Sequence, residues 1–257
     1  MKPRRTVKDG DTIAVWFSCG AASAVAAKKT FELYGKQCLI RVVNNPVAEE
    51  HEDNLRFLND VEQWLGIKIE TAINKNYPTC SAVDVWKKRK YMSGIAGAPC
   101  TLELKKEARK QWETENDTDW HVLGFTFDEQ ARATRFQERE RRNLIPVLVN
   151  ECITKADCFR ILFAADIEPP EIYRLGYPNA NCIGCVKATS ATYWNHVRKV
   201  HPTIFTERAE QSRTLGVRLA RVGAERVFLD ELPSDAIGSP MESMDFECGS
   251  FCEDRLF

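Results

Sequence analysis

The chain has 257 residues, 44% apolar and 28% charged, and its 36 Lys and Arg against 37 Asp and Glu give a formal net charge of −1. That length supports one sizeable core, as a single large α/β domain or as one domain with a small appendix. The near-neutral charge excludes a global field that would gather nucleic acid or an anionic membrane, although a local basic patch can still do so. No apolar stretch follows Met1-Lys2-Pro3-Arg4-Arg5, so neither a secretory leader nor a spanning helix is expected, and the expected compartment is the cytoplasm.

In chain order, the first element is the apolar run from Asp11 to Phe17, suited to a buried strand. It enters Ser18-Cys19-Gly20-Ala21-Ala22-Ser23, after which Ala24-Val25-Ala26-Ala27-Lys28-Lys29 reads as helix. Leu39 to Val43 is a second strand, and Leu55, Leu58, Val61 and Leu65 mark a helix within 50–65. Strand character returns over 67–73, and a basic helix is expected over 100–112. A strand at 120–124, a charged helix at 128–142, a short strand at 144–148 and a helix at 155–165 complete the alternation. Strands alternating with helices predict a parallel sheet with helices on both faces.

The texture changes after residue 166. Pro169-Pro170, Gly176, Pro178 and Asn179-Ala180-Asn181 make a turn-rich approach to Cys182-Ile183-Gly184-Cys185, followed by expected helices at 191–199 and from Phe205 to about Arg221. From Pro233 onward, Ser, Pro, Gly and acidic residues predict a mobile tail unless something anchors it. The organisation read from the sequence is therefore an α/β domain over 1–165 and a Cys-containing helical region with a flexible tail over 166–257.

Two features carry chemistry. Small residues between a buried strand and a helix let a phosphate approach backbone N–H groups where the helix dipole favours negative charge, with Ser18 and Ser23 adding hydroxyls. The loop lacks the Gly-Lys-Ser/Thr ending of a Walker A motif, and a tight turn that only packs well accounts for it equally. The second feature is the ten cysteines, for which a cytoplasmic setting argues against a disulfide framework. Cys38 reads as core, and Cys80 and Cys152 carry no pattern. Cys182 and Cys185 supply half of a zinc or iron–sulfur site, with partners to come from Cys100, Cys158, Cys248 or Cys252; a redox dithiol is the alternative. The aromatic and basic run from Tyr193 to Lys199 can contact nucleic acid, but its aromatics fit core positions better.

Ser18-Cys19-Gly20-Ala21-Ala22-Ser23 resembles the pyrophosphate loop, usually Ser-Gly-Gly-x-Asp-Ser, of the adenine-nucleotide α-hydrolase superfamily, and within it the phosphoadenosine phosphosulfate (PAPS) reductase family. Cys19 replaces a Gly and Ala22 the Asp. Further segments follow in order over roughly 11–150. Val43-Asn44-Asn45 with Glu49-Glu50-His51 is similar to the second-strand segment, with Asn in place of an acidic residue. Ala98-Pro99-Cys100-Thr101-Leu102-Glu103-Leu104-Lys105 is similar to Cys-Thr-x-x-Leu-Lys, and 124–132 to Gly-x-Arg-x-x-Glu-Ser-x-x-Arg with Thr126 for the first Arg. Glu247-Cys248-Gly249 partly resembles the reductase tail.

The resemblance implies an adenine-nucleotide-binding α/β fold, with PAPS, adenylyl sulfate or ATP held by residues 18–23, Asn44, Lys105 and Arg132, the last two pairing with phosphate or sulfate. It implies a four-iron cluster, with zinc as the alternative, on Cys100, Cys158, Cys182 and Cys185, and Cys248 as a nucleophile reduced by a thiol partner protein. Three functions follow from it: sulfonucleotide reduction, sulfur transfer to nucleic acid through adenylation, or nucleotide-dependent regulation without chemistry. Ala22 and Asn44-Asn45 count against the ATP-splitting version. A homo-oligomer is left open.

Overall fold

The computed structural model describes residues 6–94 and 97–241. Its elements are β1 (Thr12–Phe17), α1 (Ala21–Tyr34), β2 (Leu39–Asn44), α2 (Asn54–Leu65), β3 (Glu70–Thr71), α3 (Ala82–Arg89), a π-helical turn (Thr101–Glu107), α4 (Ala108–Glu115), β4 (Trp120–Val122), α5 (Gln130–Arg139), α6 (Val147–Asn150), α7 (Lys155–Ala164), α8 (Glu171–Arg174), α9 (Ala191–Val200), α10 (Pro202–Thr214), β5 (Ala220–Val222) and β6 (Glu225–Val227). Among the described residues, no helix is long and apolar enough to cross a membrane. The elements fall into two units, each built from separated stretches. The first takes 6–46, 52–72 and 109–171, and the second 47–51, 73–94, 97–108 and 172–241. The sequence reading divides the chain once, near 165, whereas these units interleave.

The first unit is α/β, as the alternation predicts. Its four strands are all parallel, in the order β3-β2-β1-β4. Ile13 to Phe17 are each 2% exposed or less, because the central strand of a parallel sheet is covered on both faces. Small residues let α1 bury Ala21, Ser23, Ala24, Val25, Ala26 and Ala27, and the helix packs on β1, α6 and α7. Phe57 on α2 reaches the sheet, its ring 6.1 Å from that of Phe17.

Three strand-related expectations are corrected. The run 67–73 pairs only through Glu70–Thr71, because the Ile69 N–H is taken by the Glu62 carboxylate at 2.8 Å. The run 144–148 pairs only at Leu144, in a bridge to His121. Pro146 offers no N–H to a ladder, and the chain turns into α6. Cys38 is half-buried, its Sγ 3.5 Å from the Lys8 carbonyl, because it stands before the exposed start of β2.

The second unit has its own apolar core, which includes Trp86, Met92, Leu104, Ile172, Tyr193 and Trp194. The helix expected from Phe205 to Arg221 begins at Pro202 and ends at Thr214. Gly216 adopts φ +68°, in the left-handed region that stops a helix, and Ala220–Val222 instead pairs antiparallel with β6. Residues 233–241 are anchored, contrary to the expectation for a tail. Asn195 Nδ2 donates to the carbonyls of Pro233 and Ala236, both at 3.0 Å, and Ser190 Oγ donates to that of Ser239 at 2.7 Å.

Phe57 is fully buried, so Phe57→Ala should cost about 3–5 kcal/mol, read as a lower denaturation midpoint in urea. A loss below about 1 kcal/mol would show that the sheet does not depend on α2 for its cover.

Candidate functional site

The turn from β1 into α1 is closed by its own hydroxyl. Ser23 Oγ accepts from the backbone N–H of Ser18 at 3.1 Å and of Gly20 at 3.3 Å, and from Ser18 Oγ at 3.2 Å. It donates to the Gly20 carbonyl at 2.9 Å. Cys19 sits at φ +54°, a conformation costing a side chain with Cβ about 1–2 kcal/mol, and this is the position at which the resembling loop has glycine. Gly20 is the N-cap residue of α1. N–H groups in a helix's first turn have no acceptor within the helix, so the loop presents donors at the C-terminal end of β1.

That end lies where the strand order reverses. The chain runs outward from β1 to β2 and β3, then returns to place β4 on the other side of β1. Gly124 follows β4, and a Cβ there would stand 2.8 Å from the Ser23 nitrogen and 3.0 Å from the Ala22 carbonyl carbon. Only glycine permits this approach without displacing backbone.

Asn44 is 4% exposed and belongs to the same construction, its Nδ2 donating to the Phe17 carbonyl at 2.9 Å and lying 3.5 Å from Cys19 Sγ. Asn45 donates to the Ala72 carbonyl at 2.9 Å and accepts from Arg109 Nε at 2.8 Å. The Arg109 guanidinium lies 5.0 Å from the Trp16 ring centroid, and burial brings its pKa down to about 9. Burial, with Arg141 and Arg109 nearby, lowers His121 to about 3, so this histidine is neutral. Arg132 on α5 pairs with Glu129 at 2.6 Å and lies 5.6 Å from the Phe125 ring.

Lys105 belongs to the second unit. It is 5% exposed and pairs with Glu50 at 3.0 Å. Cys100 precedes the π-helical turn, and Cys100, Cys182 and Cys185 all pack on the second unit's core. The Tyr193 hydroxyl accepts the Cys185 N–H at 2.8 Å, and its own pKa is raised well above the usual value, chiefly by burial and also by the Cys185 and Cys182 thiols. Gly184, at φ +67°, lets the turn sit under α10, where a Cβ would come within 3.1 Å of Arg208 Cγ. Arg208 Nε donates to the Gly184 carbonyl at 3.3 Å.

Residues 18–23 and Asn44 are thus brought together in the first unit, which also contains Arg132 and Cys158. Lys105, Cys100, Cys182 and Cys185 belong to the second. Among the described residues, no group of three or more His, Cys, Asp or Glu is arranged to hold a metal ion. Cys248 and Cys252 lie outside the described residues. Glu49, placed by the sequence only within the second-strand segment, accepts at its carboxylate from Ser81 Oγ and the Ala82 N–H, both at 2.8 Å, and sequence reasoning missed Arg208, which carries no motif of its own. No protein-family model matches the chain, and no curated protein matches it.

Cys158 is 0% exposed, and burial pushes its thiol pKa up to about 12. At pH 8 its thiolate is scarce, so native protein treated with iodoacetamide should leave Cys158 unmodified while the exposed Cys152 reacts. Peptide mass spectrometry reads this directly, and equal labelling of the two would contradict the enclosure of α7.

Proposed function

We propose that the chain is an adenine-nucleotide-binding enzyme of sulfur chemistry, acting on a sulfonucleotide. The observation that carries this reading is the small-residue loop at the end of β1, set at the reversal of strand order and closed by Gly124. Open parallel sheets bind ligands outside the carboxyl ends of their strands at such a reversal, and the first-turn amides of α1 suit a phosphate.

The two asparagines support a sulfonucleotide over metal-dependent ATP splitting. Asn44 ties β2 to β1 and Asn45 holds Arg109, so their amides serve structure. In the proposed reaction a thiolate, expected from Cys248, attacks the sulfonyl sulfur and the bond from sulfur to the nucleotide phosphate oxygen breaks. The nucleotide leaves with that electron pair. A thiol reductant then forms a disulfide with the sulfur-bearing cysteine and releases sulfite. The nucleotide loop's contribution is to bind and orient the phosphate. The second unit offers Cys100, Cys182 and Cys185 as donors to a cluster or to zinc, and no step is assigned to that centre.

Calorimetry with PAPS, adenylyl sulfate and ATP on wild type and Gly20→Val tests the loop. Binding by wild type and its loss in a folded Gly20→Val supports the reading, and equal affinities remove it. Sulfite release in the presence of a dithiol separates reduction from a nucleotide-binding regulator, which would bind without consuming nucleotide. For the cysteine pair, Cys182→Ser with Cys185→Ser should lower bound iron or zinc after anaerobic purification. Unchanged metal content would remove these two cysteines as ligands.

A further inference from the structure

Three of the chain's four histidines meet around Tyr177 in the second unit. The Tyr177 ring lies 4.7 Å from that of His196 and 5.8 Å from that of His201, and His51 lies 6.3 Å from His201. Tyr193 forms a further wall, 6.1 Å from Tyr177, and it is the residue whose hydroxyl receives the Cys185 N–H. One histidine is committed to holding the cluster together: His196 Nε2 lies 2.8 Å from the Leu175 carbonyl.

Two polar atoms in this cluster are buried and find no hydrogen-bond partner among the described residues, the Tyr177 hydroxyl and His201 Nε2. Tyr177 is 5% exposed. A buried polar group left unpaired costs about 1–3 kcal/mol, and each of these two, on rings whose centroids are 5.8 Å apart, calls for a partner. His51 and His201 are only half-buried, while His201 Nε2 and the Tyr177 hydroxyl are themselves enclosed.

The chemistry of that partner follows from what surrounds it. His201 is the N-cap residue of α10, a helix of 13 residues with no acidic residue in its first turn. Pro202 at the first position has no N–H, so the N–H groups of Thr203 and Ile204, with the helix dipole, favour negative charge. The tyrosine hydroxyl and the imidazole Nε2 both donate to an oxygen. The neighbouring carboxylates are engaged elsewhere, Glu49 at the start of α3 and Glu50 with Lys105. A transition metal is a poorer candidate, since no suitable group of three ligands exists among the described residues.

We propose that Tyr177 and His201, at the N-terminus of α10, form a binding site for a small oxyanion of the sulfate or phosphate class. The site is independent of the nucleotide loop, which belongs to the other unit, and it stands whether or not that loop binds nucleotide.

The test is calorimetric titration of the full chain with sodium sulfate and, separately, sodium phosphate at constant ionic strength in chloride, for wild type, Tyr177→Phe and His201→Gln. The expected result is saturable binding of at least one anion by wild type and a loss of about tenfold or more in each variant, the size of a charge-assisted hydrogen bond. The two titrations show which anion the site prefers. Tyr177→Phe removes a hydroxyl that has no partner, so its melting temperature without anion should equal or exceed that of wild type, which separates loss of binding from loss of fold. Binding that persists unchanged in both variants overturns the proposal. So does a wild-type chain that takes up neither anion.

Discussion

The first unit depends on one close approach, that of Gly124 to the first turn of α1. Backbone meets backbone there, with no room for a Cβ between Gly124 and Ser23. The contact lies just after β4, which pairs with β1 on the side opposite β2, where the strand order reverses. The remaining features follow from it. A helix brought that close must be lined with small residues, and Ala21, Ser23, Ala24, Ala26 and Ala27 line it. The turn into such a helix must be short, which leaves Cys19 in the left-handed region. The strain at Cys19 is offset by the four hydrogen bonds of Ser23 Oγ and by the Asn44 amide, which hold the turn from both sides.

The second unit is organised by the five-residue segment 47–51. The Glu49 carboxylate caps α3 while its carbonyl accepts the Ile183 N–H at 2.9 Å. The Ala48 N–H goes to the Cys80 carbonyl at 3.0 Å, and Glu50 holds Lys105. A stretch too short to fold alone therefore binds α3, the π-helical turn and the cysteine turn together. On the far side of the cysteine turn, α10 supplies Arg208, whose guanidinium lies 5.0 Å from the Trp86 ring and donates to the carbonyl between the two cysteines. The turn is gripped on one side by a backbone hydrogen bond from Ile183 to Glu49 and on the other by the Arg208 side chain.

The strand-and-helix order of the first unit was legible because periodicity reports burial, and a covered parallel sheet buries its strands in short apolar runs. The runs 11–17 and 39–43 read this way and form as Thr12–Phe17 and Leu39–Asn44. The strand at 144–148 read the same way and did not, because one proline outweighs four apolar neighbours when a ladder needs an N–H. The end of α10 was hidden for a similar reason: apolar residues continue past Gly216, and only its backbone angle shows the stop. In the site, the loop and Asn44 were legible as a local motif. Lys105 was read as a phosphate ligand, and its pairing with Glu50, 55 residues away in sequence, is a long-range fact that no local pattern encodes. The interleaving of the units is of the same kind. Tyr177 and His201 were missed because a lone tyrosine in a turn and a lone histidine between helices carry no spacing signal.

The β1–α1 loop and the core of the second unit differ in how their buried polar atoms are satisfied. At the β1–α1 loop, Ser23, Asn44 and the Arg109–Asn45 pair are bonded to the protein itself, which fixes the shape of the turn. In the second, Trp86 Nε1, Thr101 Oγ1, Tyr177 OH and His201 Nε2 are all buried without a hydrogen-bond partner among the described residues. Thr101 begins the π-helical turn, a winding that recurs at functional sites. Each such atom lowers the stability of the unit by an amount comparable to a typical mutation. A ligand that pairs with any of them returns that energy as binding, and by mass action it stabilises the fold that holds it. A ligand at the β1–α1 loop would therefore meet a surface already formed, whereas one at the unpaired polar groups of the second unit would add stability by occupying them.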